Sequence, residues 1–456
     1  MVSTREPGPW GPIVQGGRRF RALRVLAATL SLVLVAGGVA TYTSAQLLID
    51  QAETNLTRVP VPELEAAETQ AEARHFLLVG SDARDGLGQG DRDGLALGEF
   101  EGQRSDVIIY VAISEDRESI SLVSLPRDLR VRDGQDQRKL AETFADGPDG
   151  LIRAIRENYE LPVNHYAAVS FGGFIEVVRT LGDVEICLDE PLVDWRAGAD
   201  FEAGCQDMDA TDALAYVRSR QGDRADFERI DRQHTFLRAV LGELTDTRML
   251  ANPRRLSQLV EDVSSNVTTD DALGIGQMVR LADEARGVVA DGLPMTTVPA
   301  YPRRIDGIDF MIPYAPGAEA LFETLRAGEP VESRGSRDER DETTVVVQTG
   351  GREEGPGIVR STLAFAGFQA RVTGSGDDQT RARADTRVFE LPGHAQAARW
   401  VAATLGVDPE PLPSGVTAPE DATVLVSVGQ DATDALSDPA AIEPPVDAGV
   451  GDDDRR

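Results

Sequence analysis

Between Val25 and Tyr42 the chain runs VLAATLSLVLVAGGVATY, eighteen residues without a charge. As a helix this stretch rises about 27 Å, close to the hydrocarbon thickness of a bilayer. Residues 1–24 carry Arg5, Arg18, Arg19, Arg21 and Arg24 against Glu6 alone, and acids follow from Asp50. That asymmetry places the N-terminus inside and everything after the run outside. The apolar character extends through Leu47, Leu48 and Ile49, longer than an ordinary signal core, which favours an uncleaved transmembrane anchor over residues 25–49. A cleaved signal peptide, with the small residues Thr43 and Ala45 ahead of the cut, is the competing reading. Both export the bulk of the protein.

Export gives the two cysteines a meaning. Cys187 and Cys205 are the only ones, and an even number in an exported protein implies one disulfide. It would close a loop of roughly 20 residues and add on the order of 3 kcal/mol by chain entropy. Two buried free thiols are the alternative. With 77 Asp+Glu against 46 Lys+Arg, the net charge is −31, and Lys139 is the single lysine. This argues against non-specific duplex DNA binding, which depends on clustered positive charge, and one lysine makes Schiff-base chemistry improbable.

A length of 456 residues predicts two or more folded units. Residues 50–73 are polar and Ala/Glu-rich, a stalk. From Arg74, short apolar runs at Phe76–Gly80, Val107–Ile113 and Ser119–Leu125 read as strands. Helical patterns follow at Gly150–Tyr159, Gly172–Leu181, Asp231–Leu244, Pro253–Ser264 and Asp270–Ala290. The alternation predicts one α/β domain over residues 74–315. Residues 316–342 read as a linker, charged above all over 327–342, and the strand and helix order over 343–430 is β-α-β-β-α-β, a small α+β unit of one sheet and two helices. From Asp431 to Arg456 the chain is an acidic tail with little apolar residue to bury, expected disordered.

There is no G-x-x-x-x-G-K-[ST] loop, no G-x-S-x-G elbow and no H-E-x-x-H pair. His75, His165, His234 and His394 are scattered, with no metal-ligand spacing, and read as packing or surface residues. The chemistry left is carboxylate and guanidinium. Gly80-Ser81-Asp82-Ala83-Arg84 directly follows a buried strand and Arg104-Ser105-Asp106 directly precedes one. Carboxylates at opposite ends of neighbouring strands converge at one sheet edge, and such a pair suits Mg²⁺ completed by water and phosphate. In Ser124-Leu125-Pro126-Arg127-Asp128 the proline ends the strand and presents Arg127. Arg218 and Arg220 share a face if their stretch is extended. Asp226, Arg229 and Gln233 share one face of a helix, with Arg232 at its flank. Guanidinium forks suit bidentate phosphate recognition, so two metal-ready acids with an arginine cluster describe a pyrophosphate site; surface ion pairing is the bland reading.

The order anchor, stalk, LLVGSDAR, RSDVIIYVAI, ISLVSLPRD, HYAAVSFGGFIEVVRTLGDVEI, ALAYVRSR and DFERIDRQ resembles the LytR-CpsA-Psr family, from residue 74 to about 315. Residues 343–430 resemble the LytR C-terminal domain. The resemblance implies a three-layer α-β-α sandwich with an apolar interior for a lipid tail. It implies a phosphotransferase on the outer face of the cytoplasmic membrane, moving a glycopolymer from a polyprenyl-pyrophosphate carrier to peptidoglycan. Carried over residue by residue, it assigns Asp82 and Asp106 to the Mg²⁺–pyrophosphate centre and Arg127 to catalysis. It assigns Arg84, Arg127, Arg218, Arg220, Arg229, Arg232 and Gln233 to pyrophosphate binding. Two departures stand out: Leu140-Ala141-Glu142 follows Lys139 where the family shows Asn-Ala, and Gly147-Pro148-Asp149-Gly150 replaces a Gly-Gly pair. They bear on acceptor positioning or loop geometry. An envelope-linked transcriptional attenuator is disfavoured by topology and charge. A non-catalytic glycan- or lipid-binding scaffold is disfavoured by the intact Asp and Arg set. Residues 343–430 show no catalytic cluster, which leaves them binding or positioning.

Overall fold

The computed structural model describes residues 49–64, 74–81, 105–134, 136–221, 225–245, 252–281, 293–349, 355–375 and 384–432. Of the expected anchor only Ile49 falls among them, and among the described residues no helix is long and apolar enough to cross a membrane. The chain divides into Met1–Thr54 and Asn55–Arg456. In the first unit residues 49–54 are helical, with the Thr54 hydroxyl donating to the Asp50 carbonyl at 2.9 Å.

The second unit begins with β1 (Thr57–Val59), β2 (His75–Ser81), β3 (Ser105–Ile113) and β4 (Ile120–Ser124). A hairpin of β5 (Arg130–Asp133) and β6 (Asp136–Lys139) leads through a 3₁₀ turn, Leu140–Asp146, into α1 (Gly147–Tyr159). Then come β7 (His165–Ser170) and α2 (Phe171–Leu181). Next are β8 (Val184–Leu188), β9 (Leu192–Asp194), β10 (Ala199–Phe201), β11 (Gly204–Met208) and α3 (Ala210–Arg218). After α4 (Ala225–Thr245) and α5 (Pro253–Asn266) follow β12 (Val267–Asp270), β13 (Met295–Thr297), β14 (Ala300–Ile305), β15 (Ile308–Pro313) and α6 (Ala315–Ala327).

Seven strands form a mixed sheet in the order β1-β12-β7-β2-β3-β4-β13. Alternation along the strands splits their side chains between two cores. Leu77, Val79, Ile108 and Tyr110 pack with Leu151 and Ile155 of α1 and Leu321, Phe322 and Leu325 of α6. Phe76, Ile109 and Ile113 face the other way, against Leu237 and Leu241 of α4 and Met278 and Leu281 of the helix over 275–281. The sheet thus lies between two helical layers, as expected. A third core joins α2, β8, β11 and α3 around Val184, Ile186, Leu214 and Tyr216.

Four boundaries differ from those read in the sequence. Part of the expected stalk belongs to the sheet: β1 pairs in parallel with β12, and Glu63 meets Arg156. Val267–Asp270, expected within or beside a helix, is a strand, since its polar side chains bond inward, Thr269 Oγ1 donating to the Leu273 carbonyl at 3.1 Å. The expected linker is largely helical, because α6 buries its apolar stripe and α7 (Arg337–Asp341) buries Arg340. Asp431, expected in the tail, accepts from the Thr386 amide at 2.8 Å; residues 433–456 lie outside the described set.

The C-terminal elements are β16 (Thr344–Thr349), α8 (Gly355–Phe365), β17 (Gln369–Ser375), β18 (Arg387–Glu390), α9 (Ala395–Leu405), β19 (Pro409–Pro411) and β20 (Val424–Val428). The order read in the sequence holds, with β19 added, in a five-stranded sheet β17-β16-β20-β18-β19. Its core takes in Tyr301, Phe310, Ile312 and Tyr314 from β14, β15 and the turn after them, so the two sheets share a hairpin. Their contact is close: a Cβ on Gly406, at φ +70°, would lie 2.2 Å from the Pro316 carbonyl oxygen.

Cys187 and Cys205 form a disulfide across the antiparallel pair β8–β11, enclosing the β9–β10 hairpin. Replacing both by serine is expected to lower unfolding stability by about 3 kcal/mol, read as a drop in denaturation midpoint that reductant reproduces in the parent protein. Equal midpoints with and without reductant would show that the bridge adds nothing.

Candidate functional site

One end of the seven-stranded sheet gathers the reactive residue types. β2 finishes at Ser81, flanked by Ser170 of parallel β7 and Ser105 of antiparallel β3. β4 runs back along β3, and the Leu125 amide donates to the Ile108 carbonyl at 2.9 Å. The carboxyl ends of β2, β7 and β4 therefore meet the amino end of β3, the place where open α/β sheets bind ligands. Gly80 pairs with Val107 but Ser81 pairs with Ser105, so Asp106 is the extra residue of a bulge. Bulges re-aim side chains and concentrate near active sites. A Cβ on Gly80 would sit 3.1 Å from the Val107 Cβ, a tight fit that glycine avoids.

Asp82 follows Ser81 directly in the chain. Asp82 and Arg84 lie outside the described residues, and Asp106 is described by its main chain only. The register pairs Ser81, the residue before Asp82, with Ser105, the residue before Asp106. Among the described residues no group of three or more His, Cys, Asp or Glu could hold a metal by itself.

Arg127 leaves β4 in a turn closed by the Leu129 amide on the Pro126 carbonyl, 2.9 Å, and its own carbonyl accepts from Ala141 at 2.9 Å. The segment after Lys139 thus holds the Arg127 backbone. Arg127 Nε lies 3.5 Å from Asp128 Oδ2 and Lys139 Nζ 3.0 Å from Oδ1. Burial pushes the Asp128 carboxyl up, but Arg127, Lys139 and Arg229 together hold it below the usual carboxylate range. Arg229, buried on α4, is thereby placed near the β4 turn.

Arg218 departs from the extended conformation considered for it. It is the last residue of α3, and the chain becomes extended only at Ser219 (φ −57°, ψ 140°). Asp209 caps the start of α3, accepting from Thr211 and Asp212 at 2.7 and 2.9 Å, and five consecutive residues, Ala213 to Val217, are buried. The Arg218 guanidinium lies over the Phe171 ring, 5.4 Å from its centroid. Phe171 follows Ser170 at the end of β7, so Arg218 lies against the residue that leaves that strand. The Arg220 amide donates to Asp194 Oδ2 at 2.8 Å and the Ser219 hydroxyl to the same oxygen at 3.3 Å.

α4 is helical as expected; the side chain of Asp226 lies outside the described residues, and the other members of the expected face divide. Arg232, buried, donates through Nη2 to the carbonyls of Ser219 (2.8 Å) and Gln221 (3.4 Å), while Gln233 Nε2 donates to Val217 at 3.3 Å. These two fasten the loop that carries Arg218 and Arg220. Burial lowers the Arg232 pKa, and Glu228 only partly opposes it. His234, the residue after Gln233, shares a 2.7 Å hydrogen bond with Ser124 Oγ at the end of β4, tying α4 to the Arg127 turn. The sequence alone did not single out Asp128, Asp194 or His234 for these roles; Asp128 sits inside a recognised motif, whereas Asp194 is 25 residues from Ser219 and has no local signal.

A family model described as "LytR_cpsA_psr family" matches residues 39–327. The chain is 33% identical over 330 residues to a protein of Corynebacterium glutamicum named "Probable cell wall biosynthesis protein LcpB", covering 70% of this chain and 77% of that one. It is 26% identical over 300 residues to the "Polyisoprenyl-teichoic acid--peptidoglycan teichoic acid transferase TagU" of Halalkalibacterium halodurans, covering 64% of this chain and 91% of that one. Among solved structures, the "LytR-Csp2A-Psr enzyme from Actinomyces oris" aligns with a TM-score of 0.49 at 25% identity, over 60% of this chain and 96% of that one.

Burial, with Arg238 and Arg340 adding, lowers the His234 pKa to about 3, so the ring stays neutral in the fold. His75, also buried and beside Arg74, is lowered to about 4. Both contribute stability that is present above the unfolded value near 6.5 and lost as pH falls. Each group should cost about 2 kcal/mol between pH 6.5 and pH 5. His234→Gln, which keeps a partner for Ser124, is expected to remove about half of that acid loss in denaturation midpoints. An unchanged slope would show that His234 is not held neutral.

Proposed function

This chain belongs to the LytR_cpsA_psr family, and from that premise we propose that it moves a glycopolymer from a polyprenyl-pyrophosphate carrier to peptidoglycan through a new phosphodiester. Relatives bear the names of cell wall biosynthesis proteins and of polyisoprenyl-teichoic acid–peptidoglycan teichoic acid transferases. The observation that supports the proposal is that Arg127 and Arg229 both act on Asp128 after the end of β4 and Arg218 stands over Phe171 after the end of β7, while β7, β2 and β3 lie side by side. Planar guanidinium groups match the oxygens of a pyrophosphate two at a time.

In the proposed reaction Arg127, Arg218 and Arg229 hold the pyrophosphate oxygens, while Arg232 and Gln233 keep the Val217–Gln221 loop in place beneath Arg218 and Arg220. Asp82 and Asp106 would hold Mg²⁺, which when bound neutralises charge on the pyrophosphate. A sugar hydroxyl of the acceptor forms a bond to the glycan-bearing phosphorus, and the bond from that phosphorus to the bridging oxygen breaks. The hydroxyl proton passes to a carboxylate of the Asp82–Asp106 pair, and polyprenyl monophosphate leaves. Fixed cations aimed at charge that develops in the transition state are the main catalytic resource of such a transfer. We further propose that residues 25–49 anchor the protein in the cytoplasmic membrane with this site outside.

The test uses the full chain in detergent with a polyprenyl-pyrophosphate-linked sugar, peptidoglycan oligomers and Mg²⁺, quantifying polyprenyl monophosphate. Arg218→Ala is expected to lower its release about 10²-fold, the cost of losing one preorganised donor. Unchanged turnover would sink the role given to Arg218; no release by the parent with any lipid-linked glycan would sink the transferase reading.

A further inference from the structure

On α4, Asp231 lies between Arg229 and Arg232 and is itself buried. Residues two apart on a helix point to opposite sides, so Asp231 faces away from Arg229. Its partners come from α7, at the entry to the C-terminal sheet: Arg340 Nη2 lies 2.9 Å from Oδ1 and Arg337 Nε 3.6 Å from Oδ2. Arg340 also stands over the ring of Phe227, another α4 residue, 5.8 Å from the centroid. Gly367, between α8 and β17 at φ +99°, closes the same spot; a Cβ there would be 2.5 Å from Phe227 Cζ and 2.9 Å from Arg340 Nε. Arg334, buried, donates to the Thr297 carbonyl on β13 at 3.2 Å, and Thr297 pairs with Ser124 at the end of β4.

The C-terminal side therefore grips the two elements that carry Arg229 and Arg127. We propose that it positions α4 through the Arg340–Asp231 pair, so that the site's hold on pyrophosphate depends on a residue that does not touch the ligand. Arg340 is a positioning residue in this scheme. A buried charge pair of this kind is poor evidence for added stability, since apolar replacements often serve as well. Its geometry does fix where one helix stands against another, and coupling between such elements commonly alters affinity 5- to 150-fold, by the usual range. The proposal rests on the pyrophosphate reading of the site, but its first measurement does not.

In the full chain, amide exchange across residues 225–233 and the affinity for inorganic pyrophosphate with Mg²⁺ are compared among the parent, Arg340→Ala, Arg340→Lys and the double variant Arg340→Ala/Asp231→Ala. Arg340→Ala should speed exchange in 225–233 while leaving β2–β4 protected, and should weaken pyrophosphate about tenfold. Arg340→Lys should recover part of both. The double variant leaves no buried carboxylate without its counter-charge, so it should regain thermal stability yet still bind weakly, a split that a merely structural role does not produce. Unaltered exchange in 225–233, or parental affinity in the double variant, would overturn the proposal. A parent that binds no pyrophosphate would overturn the reading of the site, and the exchange comparison would then decide the coupling by itself.

Discussion

Everything at the candidate site depends on how β2 is paired. With β7 parallel on one side and β3 antiparallel on the other, β2 and β7 finish where β3 begins, at one sheet end. The bulge at Asp106 adds one residue to β3 where it faces Ser81, and Gly80 permits the approach. Because sheet register moves in whole residues, a slip of one would turn every apolar side chain of β2 to the wrong layer. The cores on the two faces thus fix the register, and the register fixes which residues stand at that sheet end.

The electrostatics have a layered order. Arg127 and Arg229 act on Asp128 together with the chain's single lysine, so the acid beside the site is neutralised before any ligand arrives. Behind that layer Arg232 is committed to main-chain carbonyls, and Asp231 to Arg337 and Arg340. A protein of net charge −31 can hold an anion only where its acids are answered locally in this way.

The strands β2, β3 and β4 were legible because each is a short apolar run bounded by turn residues, and the helix bearing Arg229 and Gln233 because its spacing is regular. The small C-terminal unit was legible for the same reasons. The conformation at Arg218 was not, since a stretch buried on all sides, Ala213 to Val217, carries no periodicity to separate helix from strand. The burial within residues 327–342 is not legible because charge in a sequence suggests solvation, whereas Arg334 and Arg340 are buried with partners far along the chain. Asp194 was invisible for a related reason: it matters only through Ser219 and Arg220, which the fold brings to it.

The disulfide has a consequence in time. Asp194 ends one strand of the hairpin that Cys187 and Cys205 enclose, and that hairpin holds the Ser219–Arg220 turn from outside. Thiols stay reduced in the cytosol and pair beyond it. In a reducing compartment the chain therefore has all its arginines but not the covalent closure of the frame that sets their last loop. Oxidation of one cysteine pair, rather than translation, thus completes the frame that holds the Arg220 main chain.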